Sequence, residues 1–165
     1  MQSILIDKIT LNMGIGNSGE ILDKALVLLE EISGAKPIKT VSKKRIPTWG
    51  IRPGLPIGCK VTLRGEKTEK LLRRLLQAVN NNLNKSQFDE YGNFSFGIKE
   101  YIDIPGVKYH VEIEIIGLEV SVTMKKPGLR VKIRKIKRNN IPRKQMPSQE
   151  EVIKYMQEKF GVTVE

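Results

Sequence analysis

Residues 57–64 alternate strictly between apolar side chains at the odd positions and polar side chains or glycine at the even ones. Because side chains point to opposite faces along a β-strand, this pattern predicts a strand with one face in a core. The other face is then formed by Gly58, Lys60, Thr62 and Arg64. Residues 129–134 repeat the alternation, so a second basic strand is predicted over residues 129–138. The chain must therefore supply a layer that covers the apolar faces of both strands.

Strand and helix patterns are mixed along the rest of the chain. Further strands are predicted over residues 4–13, 37–41, 94–98 and 112–124, and the last of these forms a hairpin with the basic strand through Lys126–Pro127–Gly128. Helices are predicted from Asn17 or Ser18 (with an Asn17–Glu20 capping box) to Gly34, over residues 66–80, and from a Ser148–Glu151 capping box to Gly161. The apolar stripe of the first helix is Ile21, Leu22, Ala25, Leu26, Leu29 and Ile32.

The mixture predicts an α+β fold, with a largely antiparallel, twisted sheet that has helices packed on one face. The Lys, Arg and Thr side chains of the two basic strands make the other face basic, and we expect that face to be RNA-binding. At 165 residues we expect a single domain. Its N-terminal part, residues 1–56, includes a long loop, and its C-terminal part, residues 57–165, includes the basic hairpin and the closing helix.

Positive charge is concentrated in two segments. Residues 36–74 carry 12 Lys or Arg against 2 Asp or Glu, and residues 125–144 carry 10 against none. The rest of the chain carries 7 basic and 16 acidic residues, so the net charge of +11 comes from two basic segments on an acidic body. One interpretation is that both segments are simply solvated. We favour a polyanionic partner, with nucleic acid as the first candidate, because a sheet face of Lys, Arg and Thr suits phosphates and sugars.

Few residues suit catalysis or metal binding. One Cys and one His exclude an internal disulfide framework and the usual all-protein zinc sites, and Cys59 is predicted to be a core thiol. Glu112 and Glu114 fit a solvated strand face, and His110 has no evident triad partner, so no catalytic residue, cofactor or metal is expected. Charges near the start and the lack of any long apolar run predict an intracellular protein without membrane contact.

The segment Gly14–Gly19 matches the G-x-G-x-x-G turn that holds a dinucleotide pyrophosphate between a strand and a helix. No Asp or Glu lies between Glu31 and Glu66 to bind a ribose 2′-hydroxyl, although the basic run Lys43–Arg45 could receive the 2′-phosphate of NADP. An NADP-binding oxidoreductase is therefore the alternative function. The other interpretation is a tight turn that lets a partner's backbone, such as that of RNA, approach closely.

Residues 42–56 form a predicted loop of fifteen residues, which is long for a compact domain and indicates a functional segment. The loop holds the only tryptophan, Trp49, among Lys43, Lys44, Arg45 and Arg52. This combination suits contact with an RNA backbone together with stacking on a base or ribose. Two roles stay open for Trp49: a stacking platform, or a side chain that packs on the core and pins the loop.

Four segments carry a family resemblance: Leu11–Gly16, Gly34–Pro37, Pro56–Gly65 and Gly92–Glu100. Together, in this order and over essentially the whole chain, they resemble the family of the fifth protein of the large ribosomal subunit, which binds 5S ribosomal RNA. The later segments Gly117–Val120, Asn140–Lys144 and Lys159–Val162 are similar to the archaeal branch of that family. The loop departs from the usual bacterial form at Pro47–Trp49 and at Pro53.

The resemblance implies a structural, ribosome-bound role in the cytoplasm. It implies that the chain anchors 5S rRNA in the central protuberance, that its loop lies near the P-site tRNA, and that another surface forms a bridge to a small-subunit protein. Large-subunit rRNA and neighbouring large-subunit proteins are further expected partners.

Site residues follow from the resemblance and the charged strand faces together. The expected 5S rRNA contacts are Asn12, Met13, Gly14, Gly16, Lys36, Thr40, Gly58, Lys60, Thr62 and Arg64. The expected tRNA-proximal residues are Lys43, Lys44, Arg45, Trp49 and Arg52. The expected contacts with other rRNA are Lys125, Lys126, Arg130, Lys132 and Arg134.

Overall fold

The computed structural model describes residues 3–16, 19–109 and 115–165, which form seven strands and four helices. The strands are β1 (Leu5–Gly14), β2 (Ile38–Val41), β3 (Pro56–Leu63), β4 (Asn82–Leu83), β5 (Phe94–Ile98), β6 (Leu118–Lys125) and β7 (Thr163–Val164). The helices are α1 (Glu20–Ser33), α2 (Lys67–Ala78), α3 (Arg130–Ile133) and α4 (Gln149–Phe160). None of these four helices has the length and apolar content needed to cross a bilayer.

Five strands form one sheet in the order β2-β3-β1-β6-β5, and β4 pairs in parallel with β7 in a separate two-stranded sheet. β2 and β3 are antiparallel, with Ile38 opposite Lys60 and Thr40 opposite Gly58. Each long strand alternates between core and solvent, as in β1, where Ile9, Leu11 and Met13 are fully buried. The predicted α+β fold with a largely antiparallel sheet is confirmed.

Contacts within the chain divide it into two compact units. Residues 10–63 and 97–120 form the first, called the loop unit, and residues 1–9, 64–96 and 121–165 form the second, called the helical unit. The expected division of a single domain into parts 1–56 and 57–165 stays a prediction.

In the loop unit, α1 packs on the apolar face of β3. The buried residues of α1 are Leu22, Ala25, Leu28, Leu29 and Ile32. The predicted stripe is wrong at three places: Ile21 is 40% exposed, Leu26 is only half-buried, and Leu28 is buried in addition to Leu29. The helix ends as predicted at Gly34, which adopts a left-handed conformation and donates its backbone N–H to the Glu30 carbonyl. The N-cap residue is Gly19, whereas Asn17 and Ser18 of the predicted start lie outside the described residues.

In the helical unit, α2 and α4 enclose an apolar core. α2 buries Leu71, Leu72, Leu75 and Leu76, and α4 buries Val152, Met156 and Phe160. The predicted capping box of α4 is confirmed, since Ser148 accepts from the Glu151 backbone N–H and the Glu151 side chain accepts from the Ser148 backbone N–H. Arg73 of α2 stacks its guanidinium 4.9 Å from the centre of the Phe160 ring.

Two strand predictions are corrected. The predicted basic strand over residues 129–138 is instead the four-residue helix α3 followed by irregular chain. Its backbone is satisfied locally, because Lys132 N–H donates to the Leu129 carbonyl and Arg134 N–H to the Arg130 carbonyl. Ile133 is 77% exposed, so the apolar side of the alternating pattern enters no core. A strand without a core face or a paired neighbour has little to stabilise it.

The strand predicted over residues 112–124 is shorter than expected. It begins at Leu118, and residues 115–117 lie outside it. Gly117 weakens a strand at this point, because glycine has no side chain to pack and much conformational freedom to lose. His110, Glu112 and Glu114 lie outside the described residues, so the solvated strand face predicted for the two glutamates stays a prediction.

Candidate nucleic-acid interface

The exposed sides of the strands in the loop unit form one polar surface, called the polar strand face. Its residues are Thr10, Asn12 and Gly14 of β1, Thr40 of β2, and Lys60 and Thr62 of β3. The Thr10 and Thr62 hydroxyls lie 3.5 Å apart across the strands, and the Asn12 amide donates to Glu119 Oε2 over 3.3 Å. Phosphate and sugar oxygens of nucleic acids form hydrogen bonds with hydroxyl, amide and ammonium groups, and this surface presents all three.

Two of the expected RNA contacts lie beneath this surface. Met13 is fully buried, which leaves only its backbone for a partner. Gly58 is buried as well, and a Cβ atom there would lie 2.6 Å from the Met13 carbonyl oxygen and 3.0 Å from Thr40 Oγ1. Gly58 therefore lets β1 and β2 approach β3 closely.

The turn after β1 presents glycine to solvent. The backbone N–H groups of Ile15 and Gly16 both donate to the Ile57 carbonyl, at 3.0 and 2.9 Å, which fixes the turn against β3. Gly16 requires its residue type because its φ is +81°. Gly14 does not: its φ lies outside the left-handed range, and no described atom lies within 4 Å of the place where its Cβ would stand. The fold thus leaves open space above Gly14.

The predicted loop 42–56 is an ordered arm, here called the basic arm. At its base, Ser42 N–H donates to the Leu55 carbonyl and Gly54 N–H to the Ser42 carbonyl, each over 2.9 Å. Near its tip, Ile46 and Ile51 exchange two backbone hydrogen bonds around a 3-10 turn at Pro47–Trp49. Trp49 is 70% exposed on this turn, so the interpretation in which it packs on the core is wrong.

Eight exposed cations of the loop unit form no ion pair with a described residue. Two of them, Lys99 and Lys108, follow β5, and the other six are Lys36, Lys43, Lys44, Arg45, Arg52 and Lys60. Lys39 differs from them, because it lies opposite Cys59 on the helix side of the sheet and pairs with Asp23 of α1 at 2.7 Å. The six unpaired cations other than Lys99 and Lys108 lie on the polar strand face, on the basic arm and at the entry to β2, where they can neutralise a polyanion.

In the helical unit, several expected RNA contacts are neutralised within the chain. Asp7 pairs with both Lys125, at 2.8 Å, and Arg64, at 3.2 Å. Burial acts to raise the pKa of Asp7, but the hydrogen bonds and charges of Lys125 and Arg64 outweigh it, so that the pKa is lowered.

A second pair in the helical unit joins Lys126, which is buried, to Glu151 of α4. The hydrogen bond from Lys126 and that from the Ser148 backbone lower the pKa of Glu151. Arg130, Lys132 and Arg134, by contrast, are exposed and form no ion pair with a described residue. Among the expected contacts with other rRNA, these three are therefore the ones available to a partner.

The geometry argues against the dinucleotide alternative. In a Rossmann site the strand after the helix pairs in parallel with the strand that precedes the glycine turn. Here β2, the strand after α1, pairs antiparallel with β3, and β3 lies between β2 and β1. The first turn of α1 carries Glu20 and Asp23, whose carboxylates lie where the positive end of the helix dipole would attract a pyrophosphate.

Cys59 is a core residue, as predicted. It is fully buried, and burial raises the pKa of its thiol to about 11, which keeps the thiol protonated and unreactive.

Two residues beside the polar strand face were not foreseen from the sequence. Glu119 accepts the hydrogen bond from Asn12, and Gly97 lies on the exposed side of β5. The alternation along both strands could have indicated that these two residues face away from the core. Glu119 lies between Leu118 and Val120, and Gly97 lies between Phe96 and Ile98, and all four neighbours are buried.

Comparison with known proteins shows the family of the chain. A model of ribosomal protein L5 matches residues 1–52, and a model of the ribosomal L5P family C-terminus matches residues 56–159. The chain is 52% identical to the large ribosomal subunit protein uL5 of Nanoarchaeum equitans, over 99% of this chain and 97% of that protein. It is 48% identical to uL5 of Methanobrevibacter smithii, over 98% and 95%, and 45% identical to uL5 of Sulfurisphaera tokodaii, over 99% and 93%. Since both halves are matched by the family and the relatives are covered almost completely, the chain belongs to the ribosomal protein L5 family and is a structural, non-enzymatic constituent of the large ribosomal subunit.

Proposed function

We propose that this chain binds 5S rRNA and anchors it in the central protuberance of the large subunit. The polar strand face and the Gly14 turn form the contact surface in this proposal. The observation that carries it is the set of six exposed, unpaired cations on the polar strand face, on the basic arm and at the entry to β2, next to hydroxyl and amide groups on the exposed strands. A surface that served only solubility would not concentrate unpaired charge of one sign in this way.

Binding combines two effects. Lys36 and Lys60 neutralise phosphates, which releases counterions and provides affinity. Thr10, Thr62 and Asn12 supply hydrogen-bonding groups for phosphate and 2′-hydroxyl oxygens, which an A-form RNA presents along its shallow groove. The open space above Gly14 lets the RNA backbone approach the end of β1 without a side chain between them.

The basic arm is proposed to face the P-site tRNA. Its hydrogen-bonded base and tip hold Trp49 away from the rest of the loop unit, with Lys43, Lys44, Arg45 and Arg52 beside it. An exposed aromatic ring among cations suits single-stranded or looped RNA, because the ring stacks on a base while the cations contact phosphates. We further propose that Arg130, Lys132 and Arg134 contact large-subunit rRNA, and that another surface bridges to a small-subunit protein beside neighbouring large-subunit proteins.

A binding assay with 5S rRNA against tRNA tests the 5S proposal. We expect clear preference for 5S rRNA and, if about five cations meet phosphates, a slope of log K against log[salt] near −3 to −5. Gly14→Val should weaken 5S binding without unfolding the chain, because the added side chain fills only the space reserved for RNA. Equal affinity for both RNAs, a slope shallower than about −1, or full affinity of the folded Gly14→Val variant would contradict the proposal.

A further inference from the structure

We infer that a groove beside Asn12 and Glu119 binds one unstacked guanine base, with Glu119 as the residue that determines specificity. The inference rests on the proposed RNA-binding function and adds the base that the surface recognises.

The groove lies within the loop unit, between the end of β1, the end of β5 and the start of β6. Its volume is about 580 Å³, which is within the range of sites that bind small molecules. Ile21, which is 40% exposed, and Ile115, which is 60% exposed, supply apolar side chains to its lining. Exposed apolar surface of this kind suits the flat face of a base.

Two glycines leave part of the lining bare. Gly14 and Gly97 both lack a left-handed φ, and no described atom lies within 4 Å of a Cβ built on either. Gly97 lies inside β5, where glycine weakens a strand because it packs nothing. Neither the backbone conformation nor the packing therefore requires glycine at these two positions. A planar ligand that lies against the backbone would require it, because a side chain would occupy the same space.

The polar edge of the groove complements guanine. Asn12 Nδ2 donates one hydrogen to Glu119 Oε2 over 3.3 Å and keeps a second hydrogen free. The pair thus offers two carboxylate acceptors followed by one amide donor, which is the order that cytosine presents to guanine. Guanine presents the complementary order, the N2–H and N1–H donors followed by the O6 acceptor. The Watson–Crick edges of adenine, cytosine and uracil each place at least one acceptor against the carboxylate.

The charge of Glu119 supports base recognition over simple phosphate binding. Among the strand residues of the loop unit that the structure describes, Glu119 is the only acidic one, since Asp7 of β1 belongs to the helical unit. A carboxylate on a phosphate-binding surface lowers affinity by repulsion. Two charge-assisted hydrogen bonds to guanine offset that repulsion, and they give the carboxylate a role that no phosphate contact provides.

The test compares Glu119→Gln with the wild-type chain for 5S rRNA binding at fixed salt. Replacing one acceptor by an NH₂ group sets a donor against a guanine donor, so we expect affinity to fall about tenfold or more. Electrostatics alone predicts that the affinity for RNA rises, because the variant removes a negative charge. Glu30→Gln, which removes a negative charge from the exposed side of α1, is the matched control and should leave affinity unchanged or slightly higher. Thermal unfolding midpoints of the two variants should match that of the wild type.

A second measurement identifies the base. 5S rRNA is prepared with inosine substituted at random for guanosine, so that the N2 amino group is missing at random positions. The RNA molecules that bind the chain are then separated from those that do not. We expect interference at one guanosine with the wild-type chain and loss of that interference with Glu119→Gln. Unchanged or tighter binding of Glu119→Gln, or inosine interference that does not depend on Glu119, overturns the inference. Failure of the wild-type chain to bind 5S rRNA at all would instead overturn the proposed function.

Discussion

Gly58→Ala is expected to destabilise the fold, although it adds only one methyl group. A Cβ atom at this position would lie 2.6 Å from the Met13 carbonyl oxygen, a separation that real Cβ atoms essentially never show, and 3.0 Å from Thr40 Oγ1. The Thr40 hydroxyl can rotate away, but the Met13 carbonyl belongs to the backbone of β1 and can move only if the strand shifts. The cost therefore falls on the pairing of β1 and β2 with β3.

The expected magnitude follows from overpacking in a closely packed interior. Forcing an extra methyl group into such a site costs about 1–3 kcal/mol, and the backbone contact places Gly58→Ala at about 2 kcal/mol or more. For a chain of this size, each kcal/mol lowers Tm by about 2–4 °C, so Tm should fall by about 4–8 °C.

Gly14→Ala is the matched control, because Gly14 is also a strand glycine but has open space around its Cβ position and no left-handed φ. Its stability should equal or exceed that of the wild type by up to about 1 kcal/mol, since alanine reduces the freedom of the unfolded chain. Circular dichroism during thermal and urea unfolding measures both variants. Gly58→Ala within about 0.5 kcal/mol of the wild type, or Gly14→Ala as destabilised as Gly58→Ala, would refute the reasoning.

Two further predictions concern the basic arm and the ion pairs of Asp7. Trp49→Ala should leave stability and 5S affinity nearly unchanged, because the ring is 70% exposed. It should reduce crosslinking to P-site tRNA in assembled ribosomes, whereas Trp49→Phe should retain that crosslinking. A large loss of 5S affinity in Trp49→Ala would show that the basic arm contacts 5S rRNA instead of tRNA. Asp7→Asn should lower stability at neutral pH, and the difference should narrow as pH falls below about 4, because a carboxyl whose folded-state pKa is lowered from 3.8 loses its contribution when it is protonated. Acid titration of both chains by circular dichroism checks this, and a difference that stays constant to about pH 2 would contradict it.

Much of the fold could be predicted from the sequence because it depends on local periodicity and capping. The alternation in residues 57–63 places Cys59, Val61 and Leu63 in the core, as the structure shows. Gly34 and Gly161 end α1 and α4 in left-handed conformations, as the helix patterns predict. The family, the ribosomal location and the absence of enzymatic function are likewise confirmed by the matches over both halves of the chain.

The basic segment after β6 could not be predicted in the same way. Leu129–Arg134 alternates as a strand does, but alternation reports only which residues differ in polarity and not whether a neighbouring strand exists. Here no described strand pairs with the segment, and the hydrogen bonds of α3 close within four residues. Tertiary context decides the outcome for short segments of this kind.

The sequence predicts how charge is distributed over the proposed binding surface, but not which of its cations form ion pairs. Sequence counts treat Lys125, Lys126 and Lys60 as equal cations, but Lys125 is committed to Asp7 and Lys126 to Glu151, whereas Lys60 pairs with no described residue. The partners of both committed lysines are distant in sequence, so no local pattern indicates them. A cation already held by a carboxylate gains less from a phosphate, since the new contact must replace an existing one. Lys60 is therefore expected to contribute more to RNA affinity than either Lys125 or Lys126.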